Sequence, residues 1–259
     1  MSVIERRRPR LLRALGALVA IAFLAIVAVW LADVLSPSTT VERTFTMAPA
    51  ASRLTIETTT GAVRLTSTHE HAVRVHRSVT HGWREAVIEE RSDGSAATLR
   101  GTCPAVFARG CTVEYDIAVP DGFTVDVRSG SGDVDIRGIR VQHLRTDVSS
   151  ARTTLVDVAG PLELRSSSGS LTAMRLNSAD VKAEVSSGST SLDFATAPSA
   201  VTVSASSGNV TLRLPNDGPY RVRAETSSGN KQIGVPDHCT SSRAVTVTAN
   251  SGSIAVLPR

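Results

Sequence analysis

Four histidines crowd into a short stretch of this chain: His69, His71, His76 and His81. The spacing His69-x-His71 puts two imidazoles on one face of a strand, an arrangement a metal ion can use. His76 has the opposite parity and Glu70 faces away, so no third ligand follows at a fixed spacing. The expectation is a solvated edge-strand face without a metal. Glu114 and Asp116 share a face in Cys111-Thr-Val-Glu-Tyr-Asp-Ile117. Paired carboxylates can act as acid and base, but such a pair is also the ordinary solvent face of an alternating strand. There is no Gly-x-Ser-x-Gly, no phosphate loop, and no cysteine nucleophile set with His and Asn. The reading is a chain that is not an enzyme and takes no cofactor.

Asp133 and Asp135, in Ser131-Gly-Asp-Val-Asp-Ile136, have the spacing of calcium-binding β-roll repeats. Equivalent positions elsewhere hold Arg152, Ser170, Ser189, Asn209, Asn230 and Ser253. Calcium needs six or more oxygens, which one such unit cannot supply. The polar feature that does recur is a serine beside a glycine. It occurs as Ser131-Gly132, Ser168-Gly169, Ser187-Gly188, Ser207-Gly208, Ser228-Gly229 and Ser251-Gly252, with Ser150-Ala151 as a near miss. These serines suit turn chemistry. Aligned, they would also form a hydrogen-bonding strip for a glycan or protein partner.

The marked residues recur at intervals of 19, 18, 19, 20, 21 and 23, the signature of one small unit stacked on copies of itself. Seven positions before each mark stands an apolar residue: Val125, Leu144, Leu162, Val181, Val201, Val222 and Val245. Four positions after it the residue is again apolar: Ile136, Leu155, Ala173, Leu192, Leu212, Ile233 and Val256. Apolar residues alternate on both sides of the mark, so each copy is strand, tight turn, strand, with one face inward. Glycine accepts a positive φ at the turn. A lone hairpin cannot bury such a face, whereas stacked copies bury it continuously. The expected fold is therefore an all-β solenoid with rungs of roughly 20 residues. The rung at Gly208 is expected between those at Gly188 and Gly229. A weaker copy surrounds Gly61 (Leu54, Ile56, Val63, Leu65). A partial one surrounds Gly94, where Val87 fits and Glu89 does not. Between Gly61 and Gly132 the gaps call for longer strands or an insertion.

Aromatic residues are only 3% of the 259, so aliphatic side chains must fill a narrow interior. The formal charge of +4 is mostly that of the first 40 residues, where five arginines meet Glu5 and Asp33. The remainder is close to neutral, and a nucleic-acid surface is not indicated. Arg6, Arg7, Arg8, Arg10 and Arg13 precede Ala14–Ala32, 19 residues without a charge. This is long enough to span a bilayer with the N-terminus cytoplasmic, and Trp30 stands where an interfacial aromatic belongs. A cleaved secretory signal is the rival, weakened by the length of the run and the lack of a small-x-small site before Ser36. Cys103 and Cys111 bracket a seven-residue loop, and in an exported domain a disulfide is the natural reading. Cys239 is left over: buried, free, or the true partner of one of the others.

The run Val119-Pro-Asp-Gly-Phe-Thr-Val125, followed by Ser129-Gly-Ser-Gly-Asp-Val-Asp-Ile136 and the recurring Ser-Ser-Gly turns, resembles the bacterial putative-adhesin family, also called the toast-rack domain. The resemblance covers roughly residues 42 to 258. It implies a right-handed β-solenoid displayed at the cell envelope, often tethered by one helix, with no ligand residues to carry over. The insertion around Cys103–Cys111 and Ala151 in a glycine position depart from the pattern. The expected organisation is a cytoplasmic tail (1–13), a transmembrane helix (14–34), a linker (35–41) and an extracytoplasmic solenoid (42–259). The expected role is a single-pass cell-membrane protein binding a protein or glycan partner. The alternatives are an accessory partner of a neighbouring envelope-stress membrane protein and a polysaccharide-active enzyme.

Overall fold

A computed structural model describes residues 8–35, 39–47, 52–82, 84–94, 96–104 and 110–259. One helix, α1 (Arg8–Leu35), precedes an all-β domain. Among the residues whose side chains are described, no helix is long and apolar enough to cross a membrane. The first strand, β1 (Thr39–Met47), begins inside the segment expected as linker.

Two further strands, β2 (Arg53–Thr58) and β3 (Val63–Thr68), meet at Gly61 as the first rung. The next two, β4 (Val73–His81) and β5 (Val87–Ser92), depart from the repeat; β6 (Ala96–Thr102) and β7 (Thr112–Pro120) resume it. Regular rungs follow: β8 (Phe123–Ser129) with β9 (Val134–Arg137), β10 (Val141–Ser150) with β11 (Thr153–Val156), and β12 (Leu162–Ser168) with β13 (Leu171–Leu176). Then come β14 (Asp180–Ser187) with β15 (Thr190–Phe194), β16 (Ala200–Ser207) with β17 (Val210–Leu214), β18 (Arg221–Ser228) with β19 (Lys231–Ile233), and β20 (Ala244–Ser251) with β21 (Ile254–Pro258).

The strands before each corner build a ten-stranded sheet, in the order β18-β20-β16-β14-β12-β10-β8-β2-β6-β5. Those after it build an eleven-stranded sheet, β1-β4-β7-β3-β9-β11-β13-β15-β17-β21-β19. Within the rungs all pairing is parallel, as between Val181 and Val201, with register shifts at Val141/His143 and Ala173/Leu176. The two inner faces enclose one aliphatic core. Val201, Val203, Val210 and Leu212 are buried there, while Thr202 and Ser204 are exposed.

Rung order departs from chain order at both ends. The last rung, β20/β21, slips between β16/β17 and β18/β19. Gly208 therefore stands between Gly188 and Gly252, not Gly229 as the sequence suggested. The displaced rung forms the end of the stack, which leaves Val222 only half-buried and Ile233 43% exposed. Lys231, an inward position in this rung, donates from Nζ to the Ala224 carbonyl at 3.3 Å. An inward-pointing charge of this kind blunts an open sheet edge.

At the other end β6/β7 packs outside β2/β3, and β8/β9 joins the opposite side. Antiparallel β4 and β5 follow on the two sheets, and β1 pairs antiparallel outside β4 as the edge strand. Gly94 lies in the turn of the β5–β6 hairpin, so it is not a rung corner. Inside this cap Arg77 of β4 and Glu90 of β5 form an ion pair between the two sheets, with side chains only 8% and 16% exposed. The Tyr115 hydroxyl is buried nearby without a hydrogen-bond partner among the described residues. Burial, with the Glu90 carboxylate, pushes its pKa up. Cys103 and Cys111 are joined, with Cα atoms 5.9 Å apart, and tie off the insertion between β6 and β7. Cys239 is free and exposed.

Candidate functional site

The Ser-Gly corners stack into a column. Register pairs Ser150 with Ser168, Ser168 with Ser187, Ser187 with Ser207, Ser207 with Ser251, and Ser251 with Ser228. All six are exposed, so they line one edge at the strand spacing of about 4.8 Å. Ser131 continues the column, its amide donating to the Thr59 carbonyl at 2.9 Å. Gly169, Gly188, Gly208, Gly229 and Gly252 have φ between 126° and 140°. Gly132 and Ala151 do not have positive φ, which is how an alanine is accepted at that corner.

Beside the column, on the outer face of the ten-stranded sheet, runs a groove that crosses the strands. One part, about 680 Å³, is lined by Glu57, Arg100, Arg128, Asp147 and the hydroxyls of Thr59 and Ser149. A second part, about 420 Å³, continues over Asp147, Arg165, Glu184, Ser167, Ser186 and Ser204. Gly130 borders the first part, where the Thr59 carbonyl lies 2.5 Å from where a Cβ would stand, and small serines line the second.

The groove wall is a ladder of alternating charge. Successive cross-strand neighbours are Arg100, Glu57, Arg128, Asp147, Arg165 and Glu184, followed by the neutral Ser204 and Thr248. The column beside it alternates in the opposite phase: Asp126, Arg145, Glu163, Lys182. Glu57 bridges Arg100 at 2.9 Å and Arg128 at 2.8 Å, and Arg165 reaches Glu184 at 3.2 Å. A hydrogen bond from Lys182, with further attraction from Arg165, holds the Glu184 carboxyl below its ordinary range. Opposite charges placed across strands contribute about 0.2–1 kcal/mol each, so the checkerboard also supports the sheet. Asp147, at the junction of the two parts, forms no ion pair among the described residues.

The other candidates are dispersed or neutralised. His69 and His71 lie in the bend between β3 and β4, not on a strand face as expected. His76 bonds Thr44 Oγ1 at 3.0 Å and His81 bonds the Gly82 carbonyl at 3.0 Å. Arg64 pairs with both Glu114 and Asp116, at 3.5 and 3.2 Å. Asp133 accepts from the Arg152 amide at 3.0 Å, and Asp135 pairs with Arg137. Among the described residues no three His, Cys, Asp or Glu side chains could hold a metal ion.

Sequence reasoning missed a second corner column on the far side of the rungs. Gly138, Asp157 and Arg175 take φ of 65°, 55° and 52°. Asp157 and Arg175, the two non-glycine members, are ion-paired. The hydrogen bond from Arg175 holds the Asp157 carboxyl below its usual range. Glycine marked only the first member of this column.

The Toastrack DUF4097 family matches residues 121–257, more than half of the chain. The chain belongs to that family. No functionally curated protein matches. Among solved structures, it is similar to a putative adhesin from Bacteroides fragilis NCTC 9343. That likeness has 13% identity, a TM-score of 0.47, and coverage of 85% of this chain and 97% of that one. A putative cell adhesion protein from Clostridium sporogenes ATCC 15579 is similar at 11% identity and a TM-score of 0.40. There the coverage is 85% of this chain and 100% of that one.

Proposed function

We propose that the chain is a single-pass, membrane-anchored protein whose extracytoplasmic solenoid binds an extended partner at the cell envelope, without catalysis. The observation that carries the binding role is the groove: long, open, polar and crossing successive rungs. Stacked repeats provide extended surfaces of this kind. Its carboxylates alternate with arginines and do not gather around one point, as a hydrolytic site would require.

The anchor reading is supported by the side chains of α1. Leu15, Leu18, Ile21, Phe23 and Leu24 are each at least 62% exposed, and at about 100° per residue they point to all sides of the helix. A helix apolar all round belongs in a core or a bilayer. The described side chains cover only 15–28, 30 and 31. The full uncharged run, Ala14–Ala32, reaches the length of a span. The arginines before it favour a cytoplasmic N-terminus.

Two measurements test the proposal. Protease added to intact cells should remove the β domain; a domain that stays protected ends the orientation. Full-length protein in nanodiscs should co-sediment with purified envelope material; failure to do so ends the binding role.

A further inference from the structure

Resting on that binding role, we infer that the groove takes an extended polysaccharide without net charge, laid along the solenoid axis and recognised one disaccharide at a time. Direction is the first argument. The groove runs across the strands and offers side chains, whereas a peptide strand is captured by the unpaired backbone of a sheet edge. Chemistry is the second. The walls carry carboxylates, guanidinium groups and hydroxyls, with Val185 and Ala205 as the largest apolar side chains and no aromatic, Leu, Ile or Met among them, so an amphipathic helix or an acyl chain finds no apolar pocket in which to seat a large side chain or a tail.

Charge narrows the class further. A polyanion laid along the ladder would meet Glu57, Asp147 and Glu184 as often as the arginines between them, and a polycation would fare no better. A chain of hydroxyls and amides suits both signs, since carboxylates accept its hydrogen bonds and guanidinium groups donate them. Asp147 is uncommitted between Arg128 and Arg165, so it can accept from a ligand without breaking an ion pair.

The repeat supplies the length. Like charges recur at every second rung, about 10 Å apart, which matches one disaccharide of an extended β-1,4-linked chain.

The test uses full-length protein in nanodiscs and hexamers of β-1,4-linked N-acetylglucosamine, glucose, galacturonic acid and glucosamine, with binding followed by calorimetry. The two neutral hexamers should bind more tightly than the charged ones, and more tightly than their own dimers. Ser167→Arg, on the exposed groove wall, should weaken binding by about tenfold or more, and Asp147→Asn by several-fold. Thr211→Arg, on the outer face of the other sheet, should leave it unchanged. Binding to none of the hexamers, preference for a charged one, or indifference to Ser167→Arg overturns the inference. If envelope material still co-sediments in that case, the binding role stands and only the ligand class falls.

Discussion

The carbonyl oxygen of Gly188 lies 1.8 Å from where a Cβ on Gly208 would stand. Gly208 therefore answers two demands, a φ of 126° and the close passage of the neighbouring rung. The same approach recurs from Gly188 to Gly169 and from Gly252 to Gly208. The glycine column is what lets the corners stack at strand spacing. Gly208→Val should destabilise by more than the 1–2 kcal/mol that positive φ alone costs. Urea unfolding of the full chain in detergent would measure it. A loss below about 0.5 kcal/mol would contradict the packed corner.

The two faces of β16 give a paired comparison. Val203 is buried and Thr202 is exposed. Val203→Asp places an unpaired charge in a narrow aliphatic core and should cost several kcal/mol. Thr202→Asp should cost within about 1 kcal/mol. Equal losses in thermal or urea unfolding would mean that the register is wrong.

The alternation of Val201, Val203, Val210 and Leu212 was legible because a half-buried strand writes its face with period 2. Rung order was not. Val222 and Val245 are both valines at the same offset, so either rung could follow Gly208. A repeat encodes the unit and leaves the neighbour unmarked; what distinguishes the end rung is Lys231 in an inward position. The cap escaped for a related reason. Arg77 shares the inward parity of Val73, Val75 and Val79, but its partner Glu90 emerges only when β4 and β5 face each other across the interior. Part of the groove wall stood in the repeat itself, since Arg128, Asp147, Arg165 and Glu184 each lie four positions before a corner residue; Glu57 and Arg100 were hidden, because they join only through strands that pair out of chain order.

The Arg77–Glu90 pair predicts non-additivity. Glu90→Leu alone strands a buried guanidinium and should cost about 3–5 kcal/mol. Arg77→Met alone strands the carboxylate. The double variant should recover most of the loss, because an apolar pair of similar volume is often neutral or stabilising. A double-mutant cycle in urea reads the coupling. Simple additivity would show that the two charges do not depend on each other.

The disulfide gives a chemical test. Non-reduced peptide mapping should link Cys103 to Cys111 and leave Cys239 alkylatable. Reduction should lower stability by about 2–3 kcal/mol, since the loop it closes is short. A peptide joining Cys239 to either partner would overturn the pairing.

Tyr115 makes the fold sensitive to alkali. Its folded-state pKa is raised, by burial first and by Glu90 second, while the unfolded chain titrates near the ordinary value of about 10. Below that pH both states keep the proton and the residue adds no penalty. Above it the unfolded chain releases a proton that the folded chain retains, so stability falls as pH rises. Tyr115→Phe removes that linkage. It also removes a buried hydroxyl that has no hydrogen-bond partner among the described residues, so at pH 7 the variant should be as stable as the parent or slightly more so. Tyr220, also raised, donates its hydroxyl to the Pro215 carbonyl at 2.8 Å and is present in both proteins, so it cancels in the comparison. Denaturant midpoints from pH 8 to 11.5 should fall more steeply for the parent than for Tyr115→Phe. Parallel curves would place the Tyr115 hydroxyl in contact with solvent and contradict the closed cap.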